Sequence, residues 1–273
     1  MATVAELFTY PVKGCAGVRL TESTLHETGL PFDRAYLVVG PGGVFRSQRS
    51  DRSLAVIRPA ADAEGVTLSA PGIGDLRAEI PEGVPASDVT MFGSPYRGVD
   101  QGDDAAAWLT EVLGVPSRLV RVPPDHGRVT DGRVAGTSAY ADSCAVHAFS
   151  TASMAELNRR VGERGLGPLP PARFRPNILL EGIDEPHRED LAHTVRIGGA
   201  ELAYAKLAVR CAVTMVDQVS GGKAGPEPLR TLAGYRRHPE GGVVFGAKFA
   251  VTKPGKVAVG DAFDVTAWGE AEL

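Results

Sequence analysis

Hydrophobic positions alternate over short runs broken by Gly, Pro and Asp through the first third of the chain. This pattern predicts strands over 6–11, 34–40, 44–48, 54–59, 66–69 and 76–80. Strands of this length and spacing read as an antiparallel barrel or sandwich. The period changes at Asp103 and Asp104, which open a segment whose apolar residues recur at helical spacing before Gly114, so a helix is predicted over 103–114. A strand follows over 118–122. The polar, Gly-rich, aperiodic stretch 123–139 is expected to be a linker or mobile loop. Ser150 or Thr151 is suited to cap a helix running to about Gly162, with an amphipathic face able to dock on a sheet. The proline-rich run 167–171 should carry the chain extended into a strand at 178–180, and further strands are predicted over 194–197, 202–207, 212–216 and 257–265. The fold class expected is mainly β with peripheral helices, α+β. No internal repeat is present.

Composition narrows the function classes. At 273 residues the chain can form one large or two small domains and bury a substantial core without staples. A net charge of −4, with basic residues spread along the chain, argues against an extended nucleic-acid surface and leaves them to serve a local anionic ligand. Cys15, Cys144 and Cys211 are odd in number and far apart, with no CxxC pair, so neither a disulfide framework nor a structural zinc or iron–sulfur site is suggested. The start lacks a signal-peptide pattern and no apolar run nears the roughly 20 residues of a membrane span, so no membrane partner and a cytoplasmic location are expected. Zinc spacing of the histidines, a Walker lysine and a G-x-S-x-G elbow are all missing.

Several short segments carry candidate chemistry. In Val209-Arg210-Cys211 a lone cysteine follows a basic residue that favours thiolate, the form that binds soft metals. The competing reading is a small apolar residue in a buried strand, and a third is a nucleophile, for which no histidine base can be assigned. Lys13 follows the first strand on a turn where Gly14 allows close approach to a phosphate, or it is a surface lysine. Arg34 needs an acid or a phosphate if partly buried, and Asp33 can serve. In Arg173-Phe174-Arg175-Pro176-Asn177 two arginines flank an aromatic, and Pro176 forces Arg175 out of helical geometry. That fork suits a phosphate and a polar heterocycle, although a solvated loop with an arginine on Phe174 fits equally. Asp142, Ser143 and Cys144 could hydrogen-bond a ring edge or only form an Asx turn.

Taken in order, Tyr10-Pro11-Val12-Lys13, Gly29-Leu30, Asp33-Arg34, Gln48-Arg49, Leu157-Asn158, Arg173 to Asn177, Glu189-Asp190, Arg210-Cys211, Thr214, Val216-Asp217, Pro228-Leu229, Thr231-Leu232, Tyr235-Arg236, Phe245-Gly246 and Val259-Gly260-Asp261 resemble the MOSC superfamily, the molybdenum cofactor sulfurase C-terminal domain, of the amidoxime-reducing type. The resemblance spans nearly the whole chain. It implies a MOSC β-barrel over 140–267, an N-terminal β-barrel-like domain over 1–122, and 123–139 between them. It further implies that Cys211 coordinates molybdenum as the catalytic and metal residue, that Lys13, Arg34, Arg175 and Asn177 hold the molybdenum–molybdopterin cofactor, and that Asp142, Ser143 and Cys144 line its pterin. Gly14, Val209, Arg210 and Lys248 complete the expected cofactor site. Gly14, Cys144 and Val209 stand where the family commonly has serine, and Lys248 where an aromatic or polar residue follows Phe-Gly, so substrate identity is the less constrained expectation.

The implied activity is reduction of N-hydroxylated compounds. It would take a small-molecule substrate and, without a ferredoxin extension on this chain, a separate electron donor protein of flavin reductase, ferredoxin or cytochrome type. The superfamily also brings an association with pyridoxal phosphate binding. Two alternatives remain at this level: a sulfur carrier or sulfurtransferase using a Cys211 persulfide, and a non-catalytic molybdenum cofactor-binding protein.

Overall fold

The computed structural model describes residues 1–270 and 272–273. Strands β1 to β10 are Thr3–Thr9, Val18–Leu20, Glu22–Leu25, Tyr36–Val39, Arg58–Ala61, Gly65–Ala70, Ile73–Glu79, Ser87–Met91, Ser94–Asp100 and Arg118–Arg121. Strands β11 to β17 are Val146–Ser150, Ile178–Glu181, Ala192–Ile197, Ala200–Arg210, Val243–Lys253, Gly255–Ala258 and Phe263–Trp268, and the helices are α1 (Asp103–Leu113), α2 (Thr151–Gly162) and α3 (Leu229–Leu232).

An eight-stranded sheet in the order β17-β13-β14-β15-β11-β12-β1-β2 organises the second half of the chain. Its first and last parts meet, because Val4 N donates to Asp261 O at 2.9 Å and Phe263 N donates to Ala2 O at 2.8 Å, closing the sheet on itself. Strands β1 and β2, from the start of the chain, are therefore built into the sheet formed otherwise by residues 146–268. The long strands β14 and β15 pair with three register shifts, and such bulges bend and twist a sheet towards closure. Leu7, Val146, Ile178, Leu202, Val244 and Phe249 fill its interior, each buried completely and each contributing roughly 1.5–3 kcal/mol on leaving water. In the first half, β4-β10-β9-β8 and β5-β6-β7 enclose a separate core around Tyr36, Val38, Leu54, Val66 and Leu119.

Both longer helices form for the reasons legible in sequence. Helix α1 ends on Gly114, which adopts the left-handed conformation at φ 69° and donates to Thr110 O at 2.9 Å, while Ala105, Trp108 and Leu109 form its buried face. Helix α2 starts at Ser150, whose Oγ accepts from Ser153 N at 3.0 Å, and it buries Met154, Leu157 and Val161 against the sheet.

Four expected strands differ. Segment 44–48 forms only isolated bridges, because Phe45 pairs with Val39 while Val44 pairs with Thr90 on another strand, so the segment crosses between ladders instead of joining one. Residues 54–56 lie in a 3-10 turn and extended pairing starts only at Arg58. Segment 212–216 is a 3-10 turn after β14, held by Thr214 N and Oγ1 donating to Cys211 O at 3.1 and 2.9 Å. The run 257–265 is split into β16 and β17 by a turn at Gly260, where Asp261 Oδ2 accepts from Ala258 N at 2.8 Å.

Candidate functional site

Every residue that the resemblance assigns to the cofactor site, from Lys13 to Lys248, lines one cavity of about 880 Å³ counting its open mouth. Its walls come from the turn after β1, the 44–49 crossing segment, the loop before β11, the turn before β12, the end of β14 and the middle of β15.

The floor is a hydrogen-bonded knot around Asn177, which is 1% exposed. Asn177 Nδ2 donates to Phe8 O and to Asp33 Oδ1, both at 3.1 Å, and its Oδ1 accepts from Arg34 Nη1 and His147 N, both at 3.2 Å. Arg34 also pairs with Asp33 Oδ2 at 2.5 Å and donates to Arg175 O at 3.3 Å. Asp33 thus satisfies Arg34, as the sequence allowed, and in doing so aims it. Both Arg34 and Arg175 adopt positive φ, 51° and 54°, and their guanidinium carbons lie 4.4 and 4.3 Å from the Tyr10 ring centroid.

The Arg173–Asn177 fork splits in two. Arg173 turns away to donate to Thr214 O at 3.2 Å, whereas Arg175 enters the cavity, donating to Gln218 Oε1 at 3.4 Å and leaving Nη2 buried without a partner among the described residues. Burial pulls the Arg175 guanidinium down to about 10. Arg210 donates to Phe174 O at 2.8 Å, and its Nε is likewise buried without a partner among the described residues. Buried donors of this kind await an acceptor.

The opposite wall holds paired charges. Lys13 donates to Tyr140 O at 2.7 Å and forms an ion pair with Asp142, whose carboxylate is exposed to the cavity. Burial would raise Asp142, but Lys13 and Lys248 outweigh it and hold the carboxyl well below its usual range. Lys248 donates to Ser143 Oγ at 2.6 Å, and burial brings it down to about 8 against the pull of Asp142. His147, buried and donating from Nε2 to Phe245 O at 3.2 Å, is pushed far below its normal value by desolvation and by Arg210 and Lys248, so the ring is neutral.

The cysteines separate cleanly. Cys15 and Cys144 are buried, and burial raises both thiols, Cys15 to about 12. Cys211 is half-buried, lines the cavity in extended geometry at φ −128°, and faces Arg49. Among these groups, Arg49, Phe92, His147 and Gln218 had no role assigned from sequence. Gln48-Arg49 carried part of the resemblance, and Phe92-Gly93 occupies a hairpin turn where asparagine is usual, but His147 sits in an apolar run that gives no sign of the cavity.

Comparison with known proteins follows the same division of the chain. Residues 1–116 match the MOSC N-terminal beta barrel domain and residues 135–264 match the MOSC domain. Mitochondrial amidoxime-reducing component 1 of Mus musculus is 33% identical over 286 residues, spanning 96% of this chain and 81% of that protein. The Homo sapiens component 1 is 32% identical, with 96% and 82% covered. Molybdenum cofactor sulfurase of Danio rerio is 29% identical over 91% of this chain and 32% of its own length.

Proposed function

Because the chain belongs to the MOSC family, with that family's N-terminal barrel domain ahead of the MOSC domain, we propose that it is a molybdenum-cofactor-dependent oxidoreductase that reduces N-hydroxylated compounds. The observation that carries this reading is the convergence of Cys211 with Lys13, Arg34, Arg175 and Arg210 on one cavity. The residues fit such a group chemically. Arg175 Nη2 and Arg210 Nε are buried donors without acceptors among the described residues, as an anionic pterin phosphate requires, and the Cys211 thiol is a soft donor open to the cavity.

In this reading Cys211 holds molybdenum; Arg34, Arg175, Asn177 and Lys13 hold the pterin and its phosphate, with Gly14, Val209 and Arg210 beside them; and Asp142, Ser143 and Cys144 line the ring. When bound, the cofactor supplies two-electron redox chemistry, with electrons delivered by a separate donor protein. The net reaction breaks the N–O bond and consumes two electrons and two protons, leaving an N–H group and water. The protein's part is to neutralise, orient and exchange protons. The Asp33–Asn177 knot fixes the Arg34 guanidinium before any ligand arrives, so little ordering cost remains at binding. Lys248, at about 8 and bonded to Ser143, is able to release or hold a proton near neutral pH.

Elemental analysis of protein from a host that makes the cofactor, with Cys211→Ala beside it, tests the assignment. Near-stoichiometric molybdenum in the wild type that is lost in the variant is the expected result; undiminished metal in the variant removes Cys211 as ligand. The partial exposure of Cys211, set against burial of Cys15 and Cys144, also favours a sulfur-transfer reading. Metal-free protein carrying cyanide-labile sulfur on Cys211 would select it, and bound pterin without reduction of any N-hydroxylated compound would select a carrier.

A further inference from the structure

The cations of the cavity fall into two depths. Lys13, Arg34, Arg175 and Arg210 are buried or half-buried and each donates to a protein oxygen. Arg49 is exposed, and among the described residues its guanidinium has no carboxylate within ion-pair distance and no carbonyl partner. What holds it is a side-chain hydrogen bond with Cys211 and an aromatic ring: Arg49 Cζ lies 5.2 Å from the Phe92 centroid.

Phe92 is itself unusual. It occupies the first position of the two-residue turn between β8 and β9, with φ 55°, followed by Gly93 at φ 79°. That turn favours Asn-Gly, and a phenylalanine there is strained without compensation from burial, since it is 45% exposed. Its ring meets Phe45 edge-on at 4.7 Å, and Val209, 54% exposed, lines the same cavity. An apolar shelf with a guanidinium that pairs with no carboxylate among the described residues therefore stands at the mouth, bonded to the residue that holds the metal in our reading. Buried cations are desolvated permanently and match an anion that stays. An exposed, pre-positioned guanidinium can exchange water for the carboxylate of a molecule that comes and goes.

Resting on the reductase reading, we propose that Arg49 determines substrate specificity, and that the preferred substrates are N-hydroxylated compounds whose flat apolar body carries a carboxylate. The body lies on Phe92 and Val209, and Arg49 takes the carboxylate through paired hydrogen bonds.

The test compares benzamidoxime with 4-carboxybenzamidoxime, reading dissociation constants by calorimetry, KM and kcat by turnover, and molybdenum content, on cofactor-loaded wild type, Arg49→Gln and Phe92→Asn. The wild type should bind the carboxylated compound roughly tenfold more tightly, the gain expected of charge-assisted hydrogen bonds. In Arg49→Gln that ratio should fall to about one with molybdenum content unchanged, while Phe92→Asn should weaken both compounds together. Equal binding by the wild type overturns the proposal, and so does loss of molybdenum in Arg49→Gln, which would assign that arginine to the cofactor. Failure of the reductase reading looks different: the wild type then holds no molybdenum, yet the binding ratio and its loss in Arg49→Gln still report on the anion site.

Discussion

Gln48 and Gln218 hold each other through both ends of their amides: Gln48 Nε2 donates to Gln218 Oε1 at 3.1 Å, and Gln218 Nε2 donates to Gln48 Oε1 at 2.8 Å. The pair has further arms. Gln48 Nε2 also reaches Gly14 O at 2.5 Å, and Gln218 Oε1 receives Arg175 Nη1 at 3.4 Å. Two walls of the cavity that lie far apart in sequence, one on the 44–49 segment and one on the loop after Cys211, are thereby fixed against each other.

Replacing Gln48 by alanine should loosen that link and lower stability. Gln48 is 1% exposed, so its removal takes the side-chain donor from Gly14 O in a buried pocket and leaves half-buried Gln218 with only Arg175 and Val216 as partners. The expected cost is about 1–3 kcal/mol. A fall of several degrees in Tm, read by calorimetry, checks it; an unchanged Tm would mean that water replaces the pair without loss.

Gly246→Ala should be more damaging than its size suggests. Gly246 has φ 79°, and a Cβ there would lie 2.7 Å from Ala148 O and 2.8 Å from His147 Nε2. The backbone conformation alone costs of order 1–3 kcal/mol for a residue with a side chain, and the clash adds to it. Urea unfolding should show a lower midpoint, and the His147 contact with Phe245 O should be displaced in the variant.

These two residues show where the sequence was readable. Phe245-Gly246 was visible as a motif, but β15, the long strand that contains it, was not read as one, nor were β8 and β9, because Gly, Pro and charged residues interrupt their alternation. Helices α1 and α2 were legible because caps and period agreed. Segment 212–216 misled because its β-formers are turned by Thr214 bonding back to Cys211, a local choice that propensity does not reveal. In the site, Cys211, Arg34 and Arg175 were legible through the family resemblance, because their residue types alone also fitted a buried apolar cysteine, a pairing with Asp33 and a solvated loop. Gln48, Gln218 and Phe92 act through partners distant in sequence, and a single chain does not disclose such partners.

Asn177→Leu, close to asparagine in shape, isolates the role of the floor. It takes away the side-chain partners of the His147 N–H and Phe8 O, removes one donor from Asp33, which keeps Tyr10 N and Arg34, and frees Arg34 from one of its anchors. A loss of about 3 kcal/mol is expected from these unmet buried groups. Molybdenum content should fall as well, because Arg34 is no longer held in place. Retention of full metal with reduced Tm would restrict Asn177 to folding.

Lys248 should make stability depend on alkaline pH. Burial, with help from Arg210 and Lys206, brings it to about 8 from an ordinary value of 10.5, although Asp142 and Cys144 pull the other way. Between those two values the unfolded chain still carries a proton on Lys248 that the folded protein has released. The unfolded state therefore binds more protons, and stability rises with pH across that window. Below about pH 8 both states are charged, and the folded protein bears the full cost of the buried ammonium. In protein made without the cofactor, the wild type should gain on Lys248→Met as pH is raised from about 8 to about 10, read as the difference between their urea midpoints. A constant difference would mean that Asp142 and Ser143 keep the ammonium charged throughout, and Lys248 would then be a fixed cation in the cavity and not a proton reservoir.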